Sequence, residues 1–150
     1  VFAAFFFIKK IIDLSAVQDG SRTIITGIRG DGSTETIDLP KGVMVYEIEG
    51  SLFFGTVRKF EYAIERAGSD CKAIIFRMRN LIYLDAGGIQ ALEQAKAACD
   101  RKGITIILSG IHTQPYLLCE KSGMSEKLGK ENICANINAA LERAKAVSAS

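Results

Sequence analysis

From Val43 onward the chain alternates short apolar runs with stretches whose apolar residues recur every three or four positions. "VMVYEI" reads as a strand, and the following "TVRKFEYAIERAG" sets Val57, Phe60, Ala63, Ile64 and Ala67 on one helical face, with Thr56 to cap its start and Gly68 its end. "KAIIFRM" is a second strand-like run, and "GGIQALEQAKAACDRKG" repeats the helical spacing through Ile89, Leu92, Ala95 and Cys99 before Gly103 closes it. "ITIILSG" is a third such run. Pro115 then stands near a helix start in "TQPYLLCEKSG", and "NINAALERAKAV" turns Ile137, Ala140, Leu141, Ala144 and Val147 inward. Strands and helices that alternate in this way require crossover connections, so the pattern predicts an α/β fold with a largely parallel sheet covered by helices.

The segment before Val43 is built differently. Glycine-containing turns at Asp19-Gly20-Ser21 and Arg29-Gly30-Asp31-Gly32-Ser33 bracket the β-branched stretch "RTIITGI", and Thr34 to Leu39 alternates again before Pro40-Lys41-Gly42. Residues 13–33 therefore read either as a linker or as an extra hairpin strand pairing with Thr34 to Leu39. Ahead of them, Val1 to Ile8 is an unbroken apolar run followed by Lys9 and Lys10. Eight helical residues rise only about 12 Å, whereas a bilayer core takes roughly 20 residues, so this run does not span a membrane by itself. A signal peptide carries its positive charge before the apolar run, not after it. Residues 1–12 are expected to be the end of the last membrane helix, with the lysine pair at the cytoplasmic face, or a membrane-proximal segment, or else a terminal helix docked on the domain or on a second copy.

Composition narrows the partners. A chain of 150 residues, 48% of them hydrophobic, can bury one sizeable core. The net charge of +2 comes from nearly balanced acids and bases without a basic stripe, which speaks against nucleic acid as a partner. Cys71, Cys99, Cys119 and Cys134 are widely spaced and form neither a Cys-x-x-Cys pair nor a zinc-finger pattern, so they read as packed, reduced thiols, with no metal implied.

In an open α/β sheet, the loops leaving the carboxyl ends of the parallel strands share one edge, where ligands and partners bind. Three loops qualify: Glu49 to Thr56, Tyr83 to Ile89 and Ser109 to Pro115. They carry Asp85, Ser109 and the single histidine, His112, which invites a nucleophile, base and orienting acid. Ser109, however, lacks the Gly-x-Ser-x-Gly elbow that exposes a hydrolase nucleophile. Gly87 and Gly88, at a predicted helix start, offer N–H groups to an anion, yet no lysine follows to neutralise a phosphate and Asp85 competes for the same donors. The simplest role for Asp85 is an N-cap. Phe53 and Phe54 are adjacent, so on an extended loop they point to opposite sides; either one of them is at the surface as a contact site, or both rings fold over the sheet edge and Leu52 is exposed instead.

With these elements in order, "EGSLFFGTVRKFEYAI", "KAIIFRMRNLIYLDAGGIQALE" and "GITIILSGI" followed by a closing helical pair, the chain resembles the STAS domain that follows the membrane segment of sulfate permease (SulP) anion transporters. The likeness covers roughly residues 34 to 147, which makes 34–150 the domain and casts the lysine-ended start as the close of the last membrane helix. It implies a small mixed sheet flanked by helices, no enzymatic activity, no cofactor, and a place on the cytoplasmic face of the membrane as a regulatory or interaction module of an anion transporter. The partners it implies are the membrane segment of the same transporter and a cytosolic protein, with a nucleotide or a homodimer also open. Phe53, Phe54 and Gly55 match the aromatic loop of transporter-linked forms. The same fold serves soluble antagonists of anti-sigma factors, whose corresponding turn reads Asp-Ser-Ser-Gly or Asp-Ser-Thr-Gly and is phosphorylated on the second hydroxyl. Here Asp85 and Gly88 match, but Ala86 and Gly87 replace both hydroxyls, so no phosphorylation is expected at Ala86 or Gly87. A free-standing signalling protein lacking the switch is the alternative reading, and Asp85, Ala86, Gly87 and Gly88 form the expected contact surface in either case.

Overall fold

The strand-forming runs after Pro40 lie side by side in one sheet. In the computed structural model, which describes residues 6–10, 12–13, 22–28, 30–50, 64–65 and 67–149, this sheet has the order β1-β5-β6-β7-β8. Its strands are β1 (Phe6–Lys10), β5 (Val43–Gly50), β6 (Ala73–Asn80), β7 (Thr105–Ser109) and β8 (Ile133–Cys134). β5 to β8 are mutually parallel, with Tyr46 beside Phe76 and Phe76 beside Leu108, and β1 runs antiparallel along β5. A second, antiparallel sheet has the order β2-β3-β4, from β2 (Ile12–Asp13), β3 (Arg22–Ile28) and β4 (Thr34–Leu39). The fold is therefore the mixed α/β architecture expected from the alternating pattern, with a parallel four-strand centre flanked by helices.

The helices are α1 (Ala86–Lys102), α2 (Thr113–Ser122), α3 (Met124–Leu128) and α4 (Ile137–Ser148), with a 3₁₀ turn at Lys130–Asn132. Ile89, Leu92, Ala95 and Cys99 are the buried stripe of α1, and Gly103 ends that helix at φ 70°, a left-handed conformation that costs glycine nothing. Gly123, at φ 82°, separates α2 from α3. Of the helix expected over Thr56 to Gly68, Ile64 and Glu65 are described and are helical; the remainder up to Ala63, together with Phe53, Phe54 and Gly55, lies outside the described residues. Lys102 closes this segment from the far end of α1, its Nζ donating to the carbonyls of Ile64 at 3.0 Å, Glu65 at 3.3 Å and Ala67 at 3.3 Å.

One expectation is corrected. Phe6–Lys10 is a strand and not the end of a helix, registered from Phe6 opposite Gly50 to Lys10 opposite Tyr46. Aromatic and β-branched residues suit an extended backbone, and the outer edge of β5 offers a row of backbone groups that need partners. Val1–Phe5 and Ile11 lie outside the described residues. Among the described residues, no helix is long and apolar enough to cross a membrane.

Two apolar clusters fill the two sides of the sheet. On one side Tyr46, Ile48, Ile74, Phe76, Met78, Ile106 and Leu108 pack with the stripe of α1 and with Cys119, Met124 and Leu128. On the other, Val43, Val45, Ala73, Ile75 and Ile107 meet Ala140 and Ala144 of α4 and Ile37 and Leu39 of β4. Through Ile37 and Leu39, β4 is thus part of the core.

Candidate functional site

The loop from β6 to α1 is held in place by groups on three elements. Leu81 folds back through its N–H to the Met78 carbonyl at 2.9 Å, and Leu81 and Leu84 are both fully buried, which turns Ile82 and Tyr83 outward. Asp85 has an extended backbone and accepts a hydrogen bond from the Gly88 N–H at 2.8 Å, while its own carbonyl accepts from Ile89 at 3.0 Å. It is the N-cap read from the sequence. Because the carboxylate occupies that donor and adds negative charge, the start of α1 is poorly suited to hold a phosphate. Ala86 is exposed, Gly87 half-buried and Gly88 buried against the core.

The loop after β7 clamps the same segment. Gln114 donates from Nε2 to the Leu84 carbonyl at 2.8 Å and accepts the Leu84 N–H on Oε1 at 2.7 Å, taking the place of a neighbouring strand. His112 donates from Nε2 to the Arg79 carbonyl at 2.6 Å. Two of the three predicted loops therefore share one edge of the sheet, as expected for strands with this connectivity. The third continues beyond Gly50, outside the described residues, and takes Phe53, Phe54 and Gly55 with it.

A catalytic triad is not assembled from these groups. Asp85 is engaged by Gly88 and His112 by Arg79, while the Ser109 hydroxyl is buried without a hydrogen-bond partner. Burial pushes the Cys99 thiol up to about 12 and the Cys119 thiol up to about 11, which leaves little thiolate for nucleophilic chemistry. Among the described residues, no three His, Cys, Asp or Glu side chains converge as a metal site would.

Two features escaped the sequence reading. The first is apolar exposure: Ile82 is 73% exposed and Tyr83 54%, and on α2 Leu117 is 57% exposed. Ile82 and Tyr83 directly precede Leu84 in the chain, and Leu117 follows Gln114 by three residues on α2. The run "NLIYL" signalled apolar residues without showing which would be turned out, since that follows from the burial of Leu81 and Leu84.

The second feature is an ion-pair network at the carboxyl end of the sheet. Arg77 NH1 lies 2.9 Å from Glu35 Oε1 and Arg79 NH1 3.0 Å from the same oxygen, while Arg79 Nε reaches Glu47 Oε1 at 2.6 Å. Asn80 adds a hydrogen bond to Glu47 at 3.2 Å. Partial burial works against the Arg79 charge, but Glu47 and Glu35 outweigh it and hold the guanidinium above its ordinary value. Arginines two residues apart at the end of an apolar strand were the available signal, because they share a face and need acids opposite.

The sequence profile of the STAS domain family matches residues 36–140. The chain belongs to the STAS domain family. A sulfate transporter family protein from Wolinella succinogenes has a crystal structure that superimposes with a TM-score of 0.69 at 32% identity, over 75% of this chain and 92% of that one. The STAS domain of a SulP transporter from Vibrio cholerae shares the fold, with a TM-score of 0.62 at 22% identity over 80% of this chain and 92% of that one. YvdB of Bacillus subtilis (strain 168), whose name assigns it to sulfate transport, is 26% identical over 128 residues, which are 85% of this chain but 22% of YvdB. The STAS chain thus spans less than a quarter of that curated relative.

Proposed function

We propose that this STAS domain is a non-catalytic regulatory and interaction module of a membrane anion transporter of the sulfate type, held at the cytoplasmic face of the membrane. One observation carries the reading. At the β6–α1 turn the polar groups are satisfied internally, by Gly88 for Asp85 and by Gln114 for Leu84, whereas Ile82 and Tyr83 are left open to a partner. Such an edge is chemically suited to docking and poorly suited to catalysis. Its proposed contact surface comprises Ile82, Tyr83, the Asp85-Ala86-Gly87-Gly88 turn and Leu117; Phe53, Phe54 and Gly55, expected from the sequence as contact residues, lie outside the described residues. The partner is the membrane segment of the same transporter or a cytosolic protein acting on it. The free-standing antagonist reading is disfavoured because Ala86 and Gly87 carry no hydroxyl for a kinase.

The test pairs transport with folding. Tyr83→Asp puts a charge on the open surface, and Gly87→Trp adds bulk to the first turn of α1. In the full-length gene product, each is expected to abolish anion uptake or surface delivery, while the purified 150-residue chain carrying it still unfolds cooperatively. Normal uptake by both variants refutes the edge as an interaction surface, and loss of cooperative unfolding assigns these residues to packing.

A further inference from the structure

The hairpin side of the molecule carries a cavity of about 470 Å³ between β4 and α4, unrelated to the β6–α1 edge and of the size that small-molecule sites have. Arg77 of β6 lines it. The residue is only 6% exposed; one terminal nitrogen of its guanidinium donates to Glu35 at 2.9 Å, and among the described residues neither Nε nor the other terminal nitrogen has an acceptor. No nitrogen of Arg77 is both sealed from solvent and unpartnered, so these two open onto the space that the side chain lines. They form one edge of the guanidinium, whose parallel N–H groups fit the two oxygens of a carboxylate. α4 adds further donors, because it begins at the cavity with Ile137 and Asn138. The N–H groups of its first turn have no acceptor within the helix, the Asn136 side chain takes the one from Ala139 at 2.9 Å, and the turn holds no acid.

The acids around this cavity are committed: Glu35 holds both Arg77 and Arg79, and Asp38 is engaged as well. Spare capacity therefore lies with the donors, which calls for a ligand that accepts hydrogen bonds. Charge narrows the choice. Arg77 and Lys145 are balanced by Glu35 and Asp38 along the lining, and Lys145 has Glu142 at 3.6 Å besides, so the site lacks the surplus of positive charge that a dianion such as sulfate or phosphate needs. The rest of the wall is apolar, with Ile37 buried on β4 and Ile137 and Leu141 half-buried one turn apart on α4. We infer that this cavity binds a small organic monocarboxylate, its oxygens on the open edge of Arg77 and at the start of α4, and its hydrocarbon body against Ile37, Ile137 and Leu141. The fork supplies orientation and the apolar wall selects against bare inorganic anions.

The experiment titrates the isotope-labelled chain with sodium hexanoate, following the backbone amides and the Arg77 Nε–H by NMR. Saturable shifts are expected at residues 36–38 and 137–141 and at Arg77. Hexanamide keeps the hydrocarbon body but neither the charge nor the second oxygen, and is expected to bind roughly tenfold more weakly or worse. Sodium sulfate, which has the charge without the body, should also bind roughly tenfold more weakly. Arg77→Lys keeps a cation but loses the fork and should weaken hexanoate binding by a similar factor. Asn138→Trp, on the exposed first turn of α4 at the cavity, should block binding while leaving Arg77 in place and thermal unfolding unchanged, so it decides the matter should Arg77→Lys fail to fold. Shifts that are absent or centred elsewhere, equal binding of hexanamide, or undiminished binding to a cooperatively folded Asn138→Trp or Arg77→Lys chain each overturn the assignment. So does sulfate that binds as tightly as hexanoate, because the ligand would then be an inorganic anion.

Discussion

The two sides of the parallel sheet begin alike and end differently. Facing α1 to α3, β6 presents Ile74, Phe76 and Met78, apolar to the last turn of the pleat and all fully buried. Facing α4 and the hairpin, the same strand presents Ala73 and Ile75 and then Arg77 and Arg79. Its neighbours change at the same level, since Glu47 and Ser109 stand in register on either side of Arg77. The first side is a packing surface throughout. The second is a packing surface only at its amino end; at its carboxyl end it ties β6 to β4 through Glu35 and to β5 through Glu47. One strand thus carries apolar packing along one face and, at its carboxyl end, an ion-pair network on the other, by the alternation of its side chains.

If that division is right, the largest loss should come from the apolar side. Phe76→Ala removes a fully buried ring that packs with Tyr46 at a centroid distance of 6.3 Å. The expected cost is about 3–5 kcal/mol by chemical denaturation. A loss below about 1 kcal/mol would mean that the two sides are not distinct in this sense.

The polar end should respond less in stability and more in coupling. Arg77→Met keeps much of the volume but removes one of the ion pairs to Glu35, and Glu35 is 27% exposed, so water compensates part of the loss. The expected cost is about 1–3 kcal/mol. In a double-mutant cycle, Glu35→Gln should be markedly less costly in the Arg77→Met background than alone. Strict additivity would show that Arg77 and Glu35 are not energetically coupled.

Ser109 supplies the smallest effect and the sharpest contrast with Arg77 beside it. Its hydroxyl is buried and unpartnered, so Ser109→Ala removes a polar atom that gains nothing in the fold. Stability should stay within about 0.5 kcal/mol of the parent or rise slightly. A loss of about 2 kcal/mol or more would show that the hydroxyl is part of the network.

Much of this arrangement was legible before any coordinates. The period of the apolar residues in α1, its caps at Asp85 and Gly103, and the order of strands and helices are local properties, set by which residues repeat every second or every third and fourth position. The identity of the turn, with Ala86 and Gly87 in place of two hydroxyls, is likewise a matter of sequence alone. Phe6–Lys10 was not legible as a strand, because an apolar run fits helix and strand equally until the free edge of β5 is known to be beside it.

The same holds for the residues that shape the proposed sites. Nothing in the spacing joins Gln114 to Leu84, Arg79 to Glu47, or β4 to α4, since each pair is brought together by connections many residues long. Ile82 and Tyr83 are no less apolar than Leu81 and Leu84, and which of them face solvent was settled by the tertiary fold when the latter pair filled the core. Composition and period determined that this chain would build a helix-covered parallel sheet. Which of its charges would meet, and which of its apolar groups would remain open to a partner, depended on packing between distant segments, where the cost of burying an unpaired charge and the gain of burying an apolar side chain are decided together.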